Sequence, residues 1–160
     1  MNDERNLRRH VVNLLDGTQA HVSFEDAVRG VPAKLRGARV GGLPYTLWRL
    51  LEHMRIAQWD ILEFSRRATH VSPEFPGGYW PRGNAPPSAC AWDQSVRRFR
   101  VDVRAMRALV LNPKTDLFAR IAHGSGQTIL REAMLVADHN AYHLGQFVML
   151  RRLLGNWKES

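Results

Sequence analysis

Two histidines stand four residues apart in the segment HNAYH, at His139 and His143, inside the most apolar helical pattern of the chain. Residues at positions i and i+4 lie on one side of an α-helix, so both imidazoles can reach one metal ion at about 2.0–2.1 Å. Asn140 stands where an HExxH metalloprotease has its glutamate, so the usual general base of peptide hydrolysis is missing. The pair predicts a metal site that needs another ligand and does not favour a protease.

The elements that position this pair are helices. Apolar residues recur at three- and four-residue spacing over residues 3–15, 45–67, 89 or 91 to 111, and about 127–154, with a short helical turn expected at 116–121. No segment alternates with a period of two, and glycines and prolines interrupt residues 18–44. We therefore expect an all-α four-helix bundle, a single domain over residues 1–160 with a long crossover connection after the first helix.

His53 is the histidine best placed to supply the third ligand. It lies beside the apolar stripe of the second predicted helix, and bundle sites are built from inward side chains on facing helices. Taken alone, such a histidine is more often a packed core residue than a ligand. His10 on the first predicted helix is a weaker candidate for the third ligand. The remaining histidines lie in connections and are His21, His70 and His123.

Three imidazoles leave coordination positions open for water or substrate. Imidazole suits Zn, Ni, Fe and Cu alike, so the sequence predicts a divalent metal without naming it. Glu132 and Gln146 each lie seven residues from His139 on its helical face, which makes them candidates for supporting or pocket roles, although a plain structural role is the commoner one. The Pro- and Gly-rich segment 69–88 is either a lid over such a site or a cover for the end of the bundle.

The chain is basic, with a formal charge of +8 and a pI near 10.7. A stripe of arginines on the third helix is the best candidate for binding nucleic acid or another anion, and it comprises Arg97, Arg100, Arg104 and Arg107. A solvated helix face with ion pairs is the simpler interpretation. The single cysteine, Cys90, and the lack of a signal-like or bilayer-length apolar run predict a cytoplasmic protein with no membrane partner.

Two segments carry a family resemblance. LLEHMRIAQWDILEFS around His53 and HGSGQTILREAMLVADHNAYHLGQFVMLRRLLGNW at the end resemble the DinB-like branch of the DinB/YfiT superfamily. The resemblance implies an up-down-down-up four-helix bundle that often dimerises, with His53, His139 and His143 matching the family's metal ligands. It also implies a metal-dependent thiol S-transferase acting with a low-molecular-weight thiol, although many members have no known reaction.

Three functions follow in order of preference. The first is a metal-dependent transferase or hydrolase acting on a small molecule. The second is a stress-related protein that binds nucleic acid through the arginine stripe. The third is a bundle with a vestigial metal site, which the enzyme leads only modestly.

Overall fold

The computed structural model describes residues 2–157. Within that range the chain forms helices and no strand, apart from one isolated β-bridge between Arg120 and Thr128. The helices are α1 (Asn2–Asp16), α2 (Phe24–Val28), α3 (Ala33–Arg36), α4 (Leu47–Arg66), α5 (Ala91–Leu111) and α6 (Ile129–Leu153), with a short 3-10 turn at Gly77–Tyr79. The prediction of an all-α chain is confirmed.

The four long helices, α1, α4, α5 and α6, pack as a helical bundle. Helix α4 packs against α5 and α6, and α1 packs against the same two helices. One core cluster joins α4, α5 and α6 to the connection after α1 through Ala27, Val28 and Val31. A second cluster joins α1 to the other three long helices around Leu62 and Met106. Helices α4 and α6, which carry the histidines, therefore face each other inside the bundle.

Helices α4 and α6 both begin at a threonine cap. The Thr46 hydroxyl accepts a hydrogen bond from Arg49 N at 3.2 Å, and the Thr128 hydroxyl accepts one from Arg131 N at 3.2 Å. A cap of this kind satisfies a backbone N–H that has no partner within the helix. It also explains why both helices begin two residues after the predicted start.

The connection between α1 and α4 is packed against the bundle. The buried Arg151 of α6 donates from Nη1 to the carbonyl of Ala27 at 2.7 Å, at the end of α2. Burial lowers the pKa of Arg151, and the carbonyl provides a partner for the desolvated guanidinium. The crossover connection is therefore held to the C-terminal end of α6.

The short helical turn predicted at 116–121 is wrong, because the structure has bends and the β-bridge there. The Asp116 carboxylate accepts from the backbone N of Phe118 and Ala119, at 2.9 and 3.1 Å. Ile121 N donates to Gln127 O at 2.8 Å, so the backbone bonds across the loop instead of along a helix. The apolar spacing there reflects burial of Leu117 and Ile121 against α6, not helical periodicity.

No helix in residues 2–157 is long and apolar enough to cross a membrane.

Candidate metal centre

Three histidine side chains from α4 and α6 converge on one point. His53 Nε2 lies 3.1 Å from His143 Nε2 and 3.1 Å from His139 Nε2. One ring nitrogen from each of the three lies within 4.8 Å of the others, so the group could hold a metal ion. His53 and His143 are buried and His139 is half-buried.

Two of these histidines have a hydrogen-bond partner at Nδ1, the outer ring nitrogen that faces away from the centre, and this partner sets which nitrogen carries the proton. His53 Nδ1 lies 2.9 Å from the Tyr79 carbonyl oxygen, and His143 Nδ1 lies 2.8 Å from Gln146 Oε1. The Tyr79 carbonyl can only accept, and the Gln146 amide accepts in the orientation that places Oε1 beside the ring. In this arrangement each Nδ1 carries the proton and each neutral ring turns a bare Nε2 towards the centre. Two bare nitrogens at 3.1 Å repel each other unless a proton or a cation lies between them. The donor set therefore fits a cation.

Burial keeps the three rings neutral. Desolvation lowers the pKa of His53 and His143, and it lowers the pKa of His139 to about 4, helped by the two neighbouring histidines. A neutral imidazole is the form that ligates a metal, so no proton has to leave these rings at neutral pH. His139 Nδ1 is buried without a hydrogen-bond partner in the described chain.

An aromatic stack supports His53 from the loop between α4 and α5. The Trp80 ring lies parallel to the His53 ring, with centroids 3.8 Å apart and planes 3° apart. Tyr45 stacks on Trp80 in turn, with ring centroids 4.9 Å apart and planes 8° apart. The stack restricts rotation of the His53 ring and holds Nε2 towards the other two histidines.

The same loop is tied to α4 by Asp60, two turns below His53. Asp60 Oδ2 accepts from the Tyr79 hydroxyl at 2.6 Å, and Asp60 Oδ1 lies 2.7 Å from His70 Nε2. Tyr79 therefore bonds to α4 twice, through its hydroxyl to Asp60 and through its carbonyl to His53. Of the two interpretations of residues 69–88, this geometry favours a cover over the histidine site.

A cavity of about 410 Å³ opens beside the histidines, between α4, α6 and the loop. Its walls include His53 and His139, together with the carboxylates of Asp60 and Glu132. Glu132 is 2 % exposed and forms an ion pair with Arg131 at 2.7 Å. A volume of this size suits a small molecule, and only part of the lining is polar.

The supporting residues predicted on α6 lie in two different places. Gln146 lies against the Nδ1 atom of His143, whereas Glu132 lines the cavity two helical turns before His139. Asn140 points elsewhere: its Nδ2 donates to Gln58 Oε1 at 2.7 Å, and Gln58 in turn donates to the Phe99 carbonyl at 2.8 Å. Asn140 therefore links α6 through α4 to α5, and its side chain also acts on the neighbouring His139, where it partly offsets the lowering of the ring's pKa.

The other histidines and the cysteine lie outside the cluster. His10 and His21 are exposed, and His123 Nε2 lies 2.7 Å from the Phe64 carbonyl oxygen. Cys90 is a free, exposed thiol at the start of α5.

The arginine stripe of α5 does not form one continuous binding face. Arg100 is paired with Glu25, and Arg107 is paired with Asp16 at 3.1 Å. Arg97 and Arg104 are exposed. Two of the four guanidinium groups are thus engaged by carboxylates of the same chain, as the ion-paired interpretation of this face expects.

The sequence pattern did not identify Tyr79, Trp80 or Tyr45 as neighbours of the histidines. The one usable signal was the Tyr-Trp pair in a Pro- and Gly-rich loop, since large aromatic side chains need a surface to pack against. No periodicity links a loop residue to a helix residue, so that signal could not indicate His53 as the partner.

No family model matches the chain, and comparison with curated proteins and with solved structures gives no significant match.

Proposed function

We propose that this protein is a metal-dependent enzyme that transfers a thiol to, or hydrolyses, a small molecule, with a divalent metal held by His53, His139 and His143. The observation that carries the proposal is the pair of bare Nε2 atoms, 3.1 Å apart, whose outer nitrogens bind the Tyr79 carbonyl and the Gln146 side chain. A cavity large enough for a small substrate adjoins the same histidines. Zn, Ni and Fe all suit such a ligand set.

A bound divalent metal supplies a Lewis acid that lowers the pKa of a thiol or a water molecule, so that the nucleophile forms at neutral pH. The chain supplies the surroundings. Glu132 places a buried carboxylate on the wall of the same cavity, two helical turns before His139, where it can take up the proton released by the nucleophile through water in the cavity. Arg131 lies beside it and can hold an anionic group of the substrate. Trp80 and Tyr79 limit the access of water to the histidines from the loop side.

Three finer features belong to the same proposal and are supported by the family resemblance of the two histidine-bearing segments. They are the up-down-down-up order of the DinB-like bundle, a homodimer, and a low-molecular-weight thiol as cosubstrate. The thiol would come from that cosubstrate, since Cys90 lies at the start of α5 and does not line the cavity.

The metal site is tested by measuring the metal content of purified protein after equilibration with Zn²⁺. We expect His53→Ala and His143→Ala to lose most of the bound metal, and we expect His10→Ala to keep it, because His10 is exposed on α1. Equal metal content in all three variants would contradict the ligand assignment.

The reaction is tested separately on metal-loaded protein. We expect transfer of a low-molecular-weight thiol to an electrophilic substrate, or hydrolysis of an ester, at a rate that falls in Glu132→Gln while the metal content stays constant. The vestigial alternative predicts stable metal binding with no rate above that of the metal-free protein. The open cavity beside His53 and His139 favours the enzyme over that alternative.

A further inference from the structure

A second cavity lies on the opposite side of α4, between α4 and α5. It has a volume of about 590 Å³, which is within the usual range for small-molecule sites. Its polar lining consists of three arginines and one carboxylate, Arg55, Arg97, Arg98 and Asp102. We call it the arginine cleft; it shares no lining residue with the cavity beside the histidines.

The guanidinium groups of the arginine cleft have unused donors. Within residues 2–157, Arg97 and Arg98 form neither a hydrogen bond nor an ion pair, and Arg55 Nε is buried without a partner. Arg55 reaches only Glu52, at 2.6 Å through Nη2. Buried N–H groups are normally hydrogen-bonded. Arg36, Arg49 and Arg107 also have a buried Nε without a partner, and of these four arginines Arg55 is the one that lines this cleft, where a bound oxyanion could supply the acceptor.

The charges of the arginine cleft favour an anion. Glu52 offsets Arg55, and Asp102 offsets one more positive charge, which leaves the group of three arginines with an excess. Arg55 and Arg98 act on Asp102 through space without pairing with it directly. Guanidinium groups match the geometry of carboxylate and phosphate oxygens, which can accept two parallel hydrogen bonds from one arginine.

The remaining lining is largely apolar and includes one aromatic ring. Its apolar side chains are Ile56 and Trp59 of α4, Val101 of α5 and Pro73 of the loop. The Trp59 ring is held in place by an edge-on contact with His70, with centroids 5.1 Å apart at 87°. A planar group beside the anion would find a fixed aromatic surface there.

We propose that the arginine cleft binds a small molecule in which one carboxylate or phosphate group is joined to a planar apolar moiety. The anion lies against Arg97, Arg98 and Arg55, and the planar moiety lies against Trp59. This site does not depend on the metal-dependent activity proposed above.

The test is isothermal titration at low ionic strength with four probes: benzoate, AMP, inorganic phosphate and adenosine. We expect benzoate or AMP to bind at one site per chain and adenosine not to bind, and the tighter of the two identifies the preferred oxyanion. Arg97→Ala and Arg98→Ala should each weaken that binding at least about tenfold, the amount expected for one lost charge-assisted hydrogen bond. Both side chains are exposed, so the variants keep the fold.

Two controls isolate the cleft. Arg104→Ala removes the same charge from an exposed position of α5 outside the cleft and should bind like the wild type. His143→Ala should also bind like the wild type, which separates the cleft from the histidine cluster. The proposal is overturned if neither benzoate nor AMP binds, if Arg104→Ala weakens binding as much as Arg97→Ala, or if phosphate alone binds as tightly as both larger probes.

Discussion

Replacement of Gln146 tests the geometry of the candidate metal centre without touching a predicted ligand. Gln146 Oε1 accepts the proton on His143 Nδ1 at 2.8 Å, and this bond holds the tautomer that turns Nε2 towards His53. In Gln146→Leu that acceptor is gone, so the His143 ring can rotate or move its proton to Nε2. Gln146 also borders an apolar groove with Met149 and Leu150, so a leucine side chain finds apolar neighbours there.

The expected loss of metal affinity is about 10–100-fold, the usual effect of removing the outer partner of a ligating histidine. This corresponds to about 1.4–2.8 kcal/mol of binding free energy. In Gln146→Glu the acceptor is retained as a carboxylate, which raises the basicity of the ring, so we expect affinity equal to or tighter than that of the wild type. The weaker binding expected of Gln146→Leu and the retained binding expected of Gln146→Glu both follow from the hydrogen bond between His143 Nδ1 and residue 146.

The assay is competition for Zn²⁺ between each variant and a chromophoric chelator, with thermal unfolding of the metal-free proteins measured in parallel. Gln94→Leu is the matched control, because Gln94 is an exposed glutamine of α5. If Gln146→Leu binds Zn²⁺ as tightly as the wild type and Gln94→Leu, the tautomer argument is refuted.

The remaining predictions concern the loop and a half-buried carboxylate. Tyr79→Phe removes the donor to Asp60 Oδ2 and should lower the free energy of unfolding in urea by about 1.5 kcal/mol, near the lower end for a bond to a charged group. Tyr142→Phe, at an exposed tyrosine, should leave it unchanged, and equal losses in both variants would contradict the role of the Asp60 bond. Burial raises the pKa of Asp102 from its usual 3.8 to about 6, so Asp102 contributes stability that is present below pH 3.8 and lost as the pH rises through 6. Asp102→Asn should therefore gain stability relative to the wild type between about pH 4 and about pH 7 in urea unfolding, and a constant difference across that window would contradict the shifted pKa.

The helices that carry the ligands could be predicted because their signals are local. His139 and His143 share a helical face, and His53 lies beside a continuous apolar stripe, so the 3.6-residue period places all three on or beside the buried faces of their helices. The apolar runs also predict the ends of α4 and α6 to within a residue or two, although the sequence analysis did not identify the threonine caps at which both helices begin.

The features that could not be predicted depend on contacts between distant segments. Tyr79 meets His53 across 26 residues of sequence, and no spacing rule connects a loop carbonyl to a helical imidazole. The prediction of a helical turn at 116–121 is wrong for a related reason. The apolar residues of this segment are buried because the loop bonds to the start of α6, and their spacing resembles that of a helical turn without being one. The ion pair of Arg100 with Glu25 could not be predicted either, because the two residues lie 75 positions apart in the sequence.

The two hydrogen bonds of Tyr79 couple the histidine cluster to the cavity beside it. The loop that provides a carbonyl to His53 and a stacked ring from Trp80 also walls the cavity through Tyr79 and Phe75. Any displacement of that loop would widen the cavity and release His53 at the same time. A molecule that binds in the cavity with the loop in this position should therefore strengthen the binding of a cation by His53. A cation bound by His53 should strengthen the binding of that molecule by the same factor, because such coupling is reciprocal.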